Sequence, residues 1–237
     1  MNNYTIIIPF RCQTEDRKRN LLYVIEYYHK YLKGCDIILV EQDTITDLGN
    51  CSSRVFKHIH YVSDTELFLK TTLLNLGFNN RKTDYIVLAD ADCIPDSNIL
   101  LNIKSIEEEL KIKYVVPYQE CYYLTQEKTI KFIEDKQLNE SLNDYLLPIN
   151  VFHTTGGVGI INADNYKKIG GHDERYRGWG GEDCSFYNKC VITIGIHRIK
   201  GDLIHLFHSD GPVFVGSSYI DNCNNMLSPS PMNTNLI

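Results

Sequence analysis

Short apolar runs alternate with stretches of helical spacing along most of this chain. Residues 4–10 carry the β-branched run Thr5-Ile6-Ile7-Ile8, stopped by Pro9, which predicts a buried strand. Residues 17–33 place Leu21, Val24, Ile25, Tyr28, Tyr31 and Leu32 at helical intervals, with Gly34 as a stop. Residues 36–40 are again a buried-strand run. A β-α-β opening with short links predicts a parallel sheet with right-handed crossovers. The rhythm continues with a helix over 66–78, a strand at 85–88, an amphipathic helix over 97–110 capped by Asp96 or Ser97, and a short strand at 114–117. The polar segment 122–147 has Ile130, Ile133, Leu138, Leu142 and Leu146 at loose helical spacing and reads as an inserted helical region. Residues 182–193 open with two acids, as a helix start favours. The fold class is therefore α/β, with a mostly parallel central sheet flanked by helices. The stretch 221–237, rich in Asn, Ser and Pro, is expected to be a mobile tail.

Composition narrows the function more than the fold. The 237 residues suit a domain with a core of its own. A net charge of -6 argues against a nucleic-acid partner, whose phosphates call for clustered Lys and Arg. The eight cysteines include no CxxC, so a zinc ribbon or a dithiol redox site is not indicated. The N-terminus lacks a basic n-region and a small-residue cleavage site, and no apolar run approaches the ~20 residues of a membrane span. These features lead to the expectation of a cytoplasmic protein with free, mostly buried thiols, without an integral membrane segment but open to peripheral membrane association.

Three clusters carry chemistry. Asp90-Ala91-Asp92 ends the strand at 85–88, at the sheet edge where open α/β folds bind ligands. Read as extended chain, it turns both carboxylates toward one site, where a divalent cation with a diphosphate would relieve their repulsion. A solvated turn with two acids is the plainer reading. His205 and His208 lie near the end of another strand run and could add nitrogen ligands, giving with Asp92 a mixed oxygen and nitrogen set that Mn²⁺ accepts; a chance pair is the alternative. His58 and His60 read as structural, since no acid accompanies them in sequence. The third cluster is Gly178-Trp179-Gly180-Gly181-Glu182-Asp183, with the single tryptophan of the chain between glycines and two acids following. An aromatic face suits a sugar ring, and a carboxylate beside it suits a general base. A glycine-rich turn before an acidic helix start is the alternative.

Together these segments resemble GT-A fold glycosyltransferases of the β-1,4-galactosyltransferase and chondroitin-polymerase type, over nearly the whole chain. The resemblance implies a Rossmann-like nucleotide-diphospho-sugar transferase fold spanning 1–220 as one catalytic domain, with a donor half at about 1–118 and an acceptor half at about 119–220. Pro9, Phe10 and Arg11 resemble the nucleotide contact. Phe68 and Lys70 resemble the segment that packs the uracil and reaches the phosphates. Asp90, Ala91 and Asp92 match the Asp-x-Asp motif, with Asp92 on the metal, and Gly157 falls in the donor-sugar loop. Trp179, Gly181 and Glu182 would bind the acceptor, and Asp183 would be the catalytic base. His208 falls at a metal-binding histidine, and His205 at a position often occupied by Met. Thr154 stands near a bulky Tyr of galactose-transferring members, so an N-acetylhexosamine donor would be tolerated. The implied cofactor is Mn²⁺ or another divalent cation. The implied partners are a UDP-sugar donor and a glycan or glycoconjugate acceptor. Three alternatives share parts of the pattern: a retaining GalNAc-transferase-like enzyme, a sugar nucleotidyltransferase, and a non-catalytic nucleotide-sugar or carbohydrate-binding module.

Overall fold

The computed structural model describes residues 4–46, 48, 54–135, 154–209, 217–233 and 235–236. The opening run forms β1 (Tyr4–Phe10), buried along its entire length. It lies between β2 (Asp36–Asp43) and β4 (Tyr85–Ala89), both parallel to it, with Ile6 opposite Ile37 on one side and Val87 on the other. A strand covered on both faces reads as a continuous apolar run, which is why this one was visible in the sequence. Burying each of these aliphatic side chains contributes about 1.5–3 kcal/mol. Outside β2 runs β3 (Lys57–Val62), a half-buried edge strand.

The sheet has seven strands in the order β3-β2-β1-β4-β8-β6-β9, including β6 (Tyr114–Val116), β8 (Val158–Asn162) and β9 (Ile196–Arg198). Six strands run one way, and β8 is antiparallel to both of its neighbours. Since β8 and β9 follow residue 118 in the chain, the sheet draws on both sides of that position. A small second sheet, β5-β10-β7, joins β5 (Cys93–Pro95), β7 (Glu120–Tyr123) and β10 (Asp202–His205) beside the carboxyl end of β4.

Helix α1 (Glu15–Tyr31) buries Leu21, Val24, Ile25 and Tyr28, the stripe its spacing predicts. Helix α2 spans Lys70–Asn79, four residues shorter at its start than expected. Residues 66–69 are held outside it because the Gln42 side chain donates to the Leu67 carbonyl and accepts from the Leu69 amide. The helix expected over 97–110 is broken into α3 (Ser97–Leu101), a 3-10 turn (Ile103–Ile106) and α4 (Glu107–Leu110). At the break, the Asn102 side chain donates to the Asn98 carbonyl and the Ser105 hydroxyl to the Asn102 carbonyl, so polar side chains compete with the helical ladder. The cap is Asp96, which accepts from the Asn98 amide.

Within the segment 122–147, β7 occupies the start and α5 (Gln126–Asp135) follows; the rest lies outside the described residues. Two helices then flank the glycine-rich loop, α6 (Ala163–Lys168) before it and α7 (Glu182–Thr193) after it. The tail expected to be mobile begins inside α8 (Ser217–Met226) and continues along the loop at 170–179. Arg175 donates to the Ser228 hydroxyl and the Pro229 carbonyl, and Ser230 donates to Asp173. Among the described residues no helix is long and apolar enough to cross a membrane. None of the described cysteines is in a disulfide, and Cys51 lies outside those residues.

Candidate active site

The site lies where β4 ends. Asp90-Ala91-Asp92 is not extended, as expected from sequence, but a turn leading into β5, with the Cys93 amide donating to the Asp90 carbonyl. The turn sends the two carboxylates to different partners. Asp90 meets Lys70, at 2.9 Å from Oδ1 to Nζ. Asp92 meets His208 and His205, with Oδ2 3.2 Å and Oδ1 3.7 Å from their Nε2 atoms.

The histidine side is built by β10 and the chain leaving it. β10 pairs His205 opposite Cys93. The next amide, Leu206, donates to the Asp92 carbonyl. Tyr123 stacks on the His205 ring at 4.5 Å. Residues beyond are tied down by α1 and α5. Asn20 donates to the Phe207 carbonyl, Thr129 accepts from the Phe207 amide, and Asp16 accepts from the Ser209 amide and hydroxyl. Burial raises the cost of charge on Asp92, but His205 and then His208 outweigh it and hold this carboxyl well below the usual range. Burial lowers His205, while the hydrogen bond to Asp92 raises His208. One carboxylate and two imidazoles on adjoining segments form a donor set that suits Mn²⁺ or a similar divalent ion. Cys93 adds a buried thiol beside Asp92 and His205, and burial with the two neighbouring carboxylates pushes that thiol well above its ordinary range.

The other side is built by the glycine-rich loop and the start of α7. Gly181 has φ +88° at the N-cap, a conformation that favours glycine, and α7 then presents Glu182 and Asp183 in its first turn. Asp183 takes Lys70 at 3.0 and 3.1 Å on its two oxygens, and Glu182 lies 3.8 Å from the same nitrogen. Gly156 is pressed against this carboxylate: a Cβ placed there would lie 1.9 Å from Asp183 Oδ2. Burial, then Asp183, pushes Glu182 up to about 7 against the pull of Lys70. Burial pushes Asp90 up to about 6, opposed by Lys70 and reinforced by Asp183 and Asp92. Burial opposes the charge on Lys70, yet Asp183, Asp90 and Glu182 hold this ammonium well above its usual range. A cavity lined by Lys70, Asp90, Thr155, Gly157 and Asp183 reaches inward to Tyr114 and Phe186.

The remaining sequence-predicted residues are placed unevenly. Trp179 is 67% exposed on the loop before α7. Gly157 closes on Asp90, its carbonyl accepting from the Asp90 amide. Pro9 ends inside the buried β1, and Phe10 is buried with it. Arg11 donates to the Glu66 carbonyl at 2.6 Å. Phe68 packs beside Ile38, Val40 and Leu73, and its carbonyl accepts from the Gly178 amide, joining the segment before α2 to the Trp179 loop. Thr154 offers its carbonyl to Tyr118 and Arg198, and it is Thr155 that lines the cavity. His58 and His60 lie on β3, away from this cluster, and His58 pairs at 2.8 Å with the buried Glu41, an acid distant from it in sequence. Sequence reasoning missed Arg17, whose charge acts on Asp92, His205 and His208 and whose Nε is buried with no hydrogen-bond partner. The basic run at 17–19, in the first turns of the helix after β1, was the available signal.

The mostly parallel seven-stranded sheet flanked by helices is the fold of GT-A glycosyltransferases. Solved structures of this fold align with the chain. The catalytic domain of Drosophila β-1,4-galactosyltransferase 7 with xylobiose does so at a TM-score of 0.52 and 16% identity, covering 85% of this chain and 68% of that one. A mutant of the same enzyme was solved with manganese, UDP-Gal and xylobiose, at 0.51 and 17%, covering 84% and 65%. Staphylococcus aureus TarS with UDP-GlcNAc aligns at 0.60 and 10%, covering 91% and 61%. The chain belongs to the family described as glycosyltransferase like family 2, which residues 5–200 match. Among curated relatives, β-1,4-galactosyltransferase 7 of Mus musculus is 24% identical over 211 residues, covering 87% of this chain and 46% of the relative. Human β-1,4-galactosyltransferase 1 is 24% identical over 191 residues, covering 79% and 36%. The chain thus spans half or less of the length of these relatives.

Proposed function

We propose that this chain is a metal-dependent inverting glycosyltransferase that moves a hexose or N-acetylhexosamine, of the galacto series, from a UDP-sugar to a sugar hydroxyl of a glycan or glycoconjugate. The observation that carries the reading is the division of labour around one strand end. Asp92, His205 and His208 form an oxygen and nitrogen cluster on one side, while Asp183 and Glu182 open a helix on the other, beside an exposed tryptophan. Manganese with UDP-Gal in one neighbour, and UDP-GlcNAc in another, support this assignment of substrate class.

Asp92, His205 and His208 would hold the divalent ion, which when bound supplies Lewis acidity toward the departing diphosphate. Asp183 takes the proton of the acceptor hydroxyl as that oxygen forms its bond to the anomeric carbon and the bond to UDP breaks, so a single displacement inverts the configuration. Trp179 offers a face for a sugar ring, and Glu182 orients a sugar hydroxyl. Closure of the loop over the donor limits loss to water.

A UDP-release screen with Mn²⁺ and UDP-Gal, UDP-GalNAc, UDP-GlcNAc and UDP-Glc tests the reading, with the anomeric configuration of the product read by NMR. Retention of configuration would replace it with the retaining alternative, and no turnover with any donor or acceptor would favour a binding module. Asp183→Asn is expected to lower turnover by about 10²–10⁴-fold while UDP binding with Mn²⁺ persists. Asp92→Ala is expected to abolish Mn²⁺-dependent UDP binding by calorimetry; unaltered binding removes Asp92 as a ligand.

A further inference from the structure

Lys70 is the first residue of α2, and its place is set by the Gln42 side chain that holds residues 67 and 69. Its side chain is 12% exposed and reaches three carboxylates. Nζ lies 2.9 Å from Asp90 Oδ1, 3.0 and 3.1 Å from the two oxygens of Asp183, and 3.8 Å from Glu182 Oε1. Gly156 also packs closely on Asp183, leaving no room for a side chain beside this carboxylate. Lysine presents a compact point charge with three donors. In this poorly solvated setting its attraction to any one oxyanion is strong, and it cannot be shared without loss.

We infer that Lys70 is the positioning residue for Asp183, and that a donor diphosphate competes with Asp183 for its ammonium. The inference rests on the proposed donor class. Lys70 and the Asp92 cluster hold the two ends of the short Asp90-Ala91-Asp92 turn, and a diphosphate at the Asp92 cluster would have to span that turn to reach the ammonium. Asp183, with both oxygens on the ammonium, gives up part of that attraction when Lys70 turns to the diphosphate. The coupling is reciprocal: the Asp183 carboxylate weakens donor binding, and the donor loosens Asp183 toward the acceptor hydroxyl. Asp183 would thus be held in place before the donor arrives and released by it.

The test is a double-mutant cycle on the full chain, read by calorimetric titration of UDP in Mn²⁺. Asp183→Asn is expected to tighten UDP about fivefold, because the neutral amide no longer competes for Lys70. Lys70→Met is expected to weaken UDP, and the double variant to bind like Lys70→Met, because the gain requires the ammonium. Unchanged affinity in Asp183→Asn, or a gain that survives without Lys70, overturns the inference. Should Lys70→Met fail to fold by circular dichroism, Lys70→Arg carries the same cycle. There Asp183→Asn must again tighten UDP, and equal affinities overturn the proposal. A merely structural role for Lys70 predicts no such dependence. If the wild-type protein binds no UDP with Mn²⁺, the donor reading itself fails. If it binds but the cycle shows no coupling, only the role of Lys70 falls.

Discussion

Glu182 and Asp183 are adjacent in sequence and share one cation, yet their settings differ. Asp183 has both oxygens on Lys70, whereas Glu182 lies farther from it and spends Oε2 on the Gly180 amide at 3.1 Å. Burial and the neighbouring Asp183 charge therefore raise Glu182 from an ordinary 4.5 to about 7. The folded protein keeps a proton that the unfolded chain has released between these values. Stability from this group is thus present at low pH and falls as pH rises through that window. Glu182→Gln removes the slope while retaining an oxygen for Gly180. Relative to wild type, the variant is expected to gain on the order of 1–3 kcal/mol between pH 4.5 and 7.5, read by urea unfolding. A difference that does not change with pH would mean that Glu182 is ionised throughout.

At the scale of elements, the position of Asp183 depends on how α7 docks. Phe186, one turn further along, is 4% exposed. Its ring stacks on His172 at 3.9 Å with 2° between planes and meets Tyr114 edge-on at 5.4 Å. His172 is fixed in turn by the Tyr166 hydroxyl, 2.7 Å from its Nδ1, and burial depresses its pKa well below the ordinary value, favouring the neutral ring. One aromatic stack thus ties α7, the glycine-rich loop, β6 and α6 together. Phe186→Ala is expected to cost about 3–5 kcal/mol by chemical denaturation. It should also reduce turnover more than UDP binding, because the helix start carrying Asp183 shifts while the Asp92 cluster does not.

Across the whole molecule, the loop bearing Trp179 is held from two remote parts of the chain. From α2, Thr71 donates to the Tyr176 carbonyl, and Asn75 donates to the His172 carbonyl and to Glu174. From α8, the buried Asn222 accepts from the Arg177 amide and donates to the Arg177 carbonyl, and Asn225 donates to the Arg175 carbonyl. Removing the Asn222 amide leaves backbone groups unpaired. Asn222→Ala is therefore expected to cost about 1–3 kcal/mol and to speed amide exchange at Arg177, followed by hydrogen-exchange mass spectrometry, with β1 unaffected. Unchanged exchange at Arg177 would show that α2 alone holds the loop.

The sequence by itself determined the elements whose burial is uniform or strictly periodic. β1, β2 and β4 are covered on both faces and read as apolar runs; α1 shows one clean stripe; α7 begins where two acids follow a pair of glycines. It also offered Asp92, His205, His208 and Asp183 as candidates, each with a plain alternative until the family resemblance joined them. It did not foresee β8 running against its neighbours, the break at Asn102, or the packing of the C-terminal segment, since each depends on partners distant in sequence. Only the tertiary structure decided which carboxylate meets which partner. Asp90 and Asp92 would point the same way in extended chain, but the turn after β4 gives Asp90 to Lys70 and Asp92 to the histidines. The strand end allows that turn, and two cationic or proton-sharing partners on opposite sides separate charges that would otherwise repel.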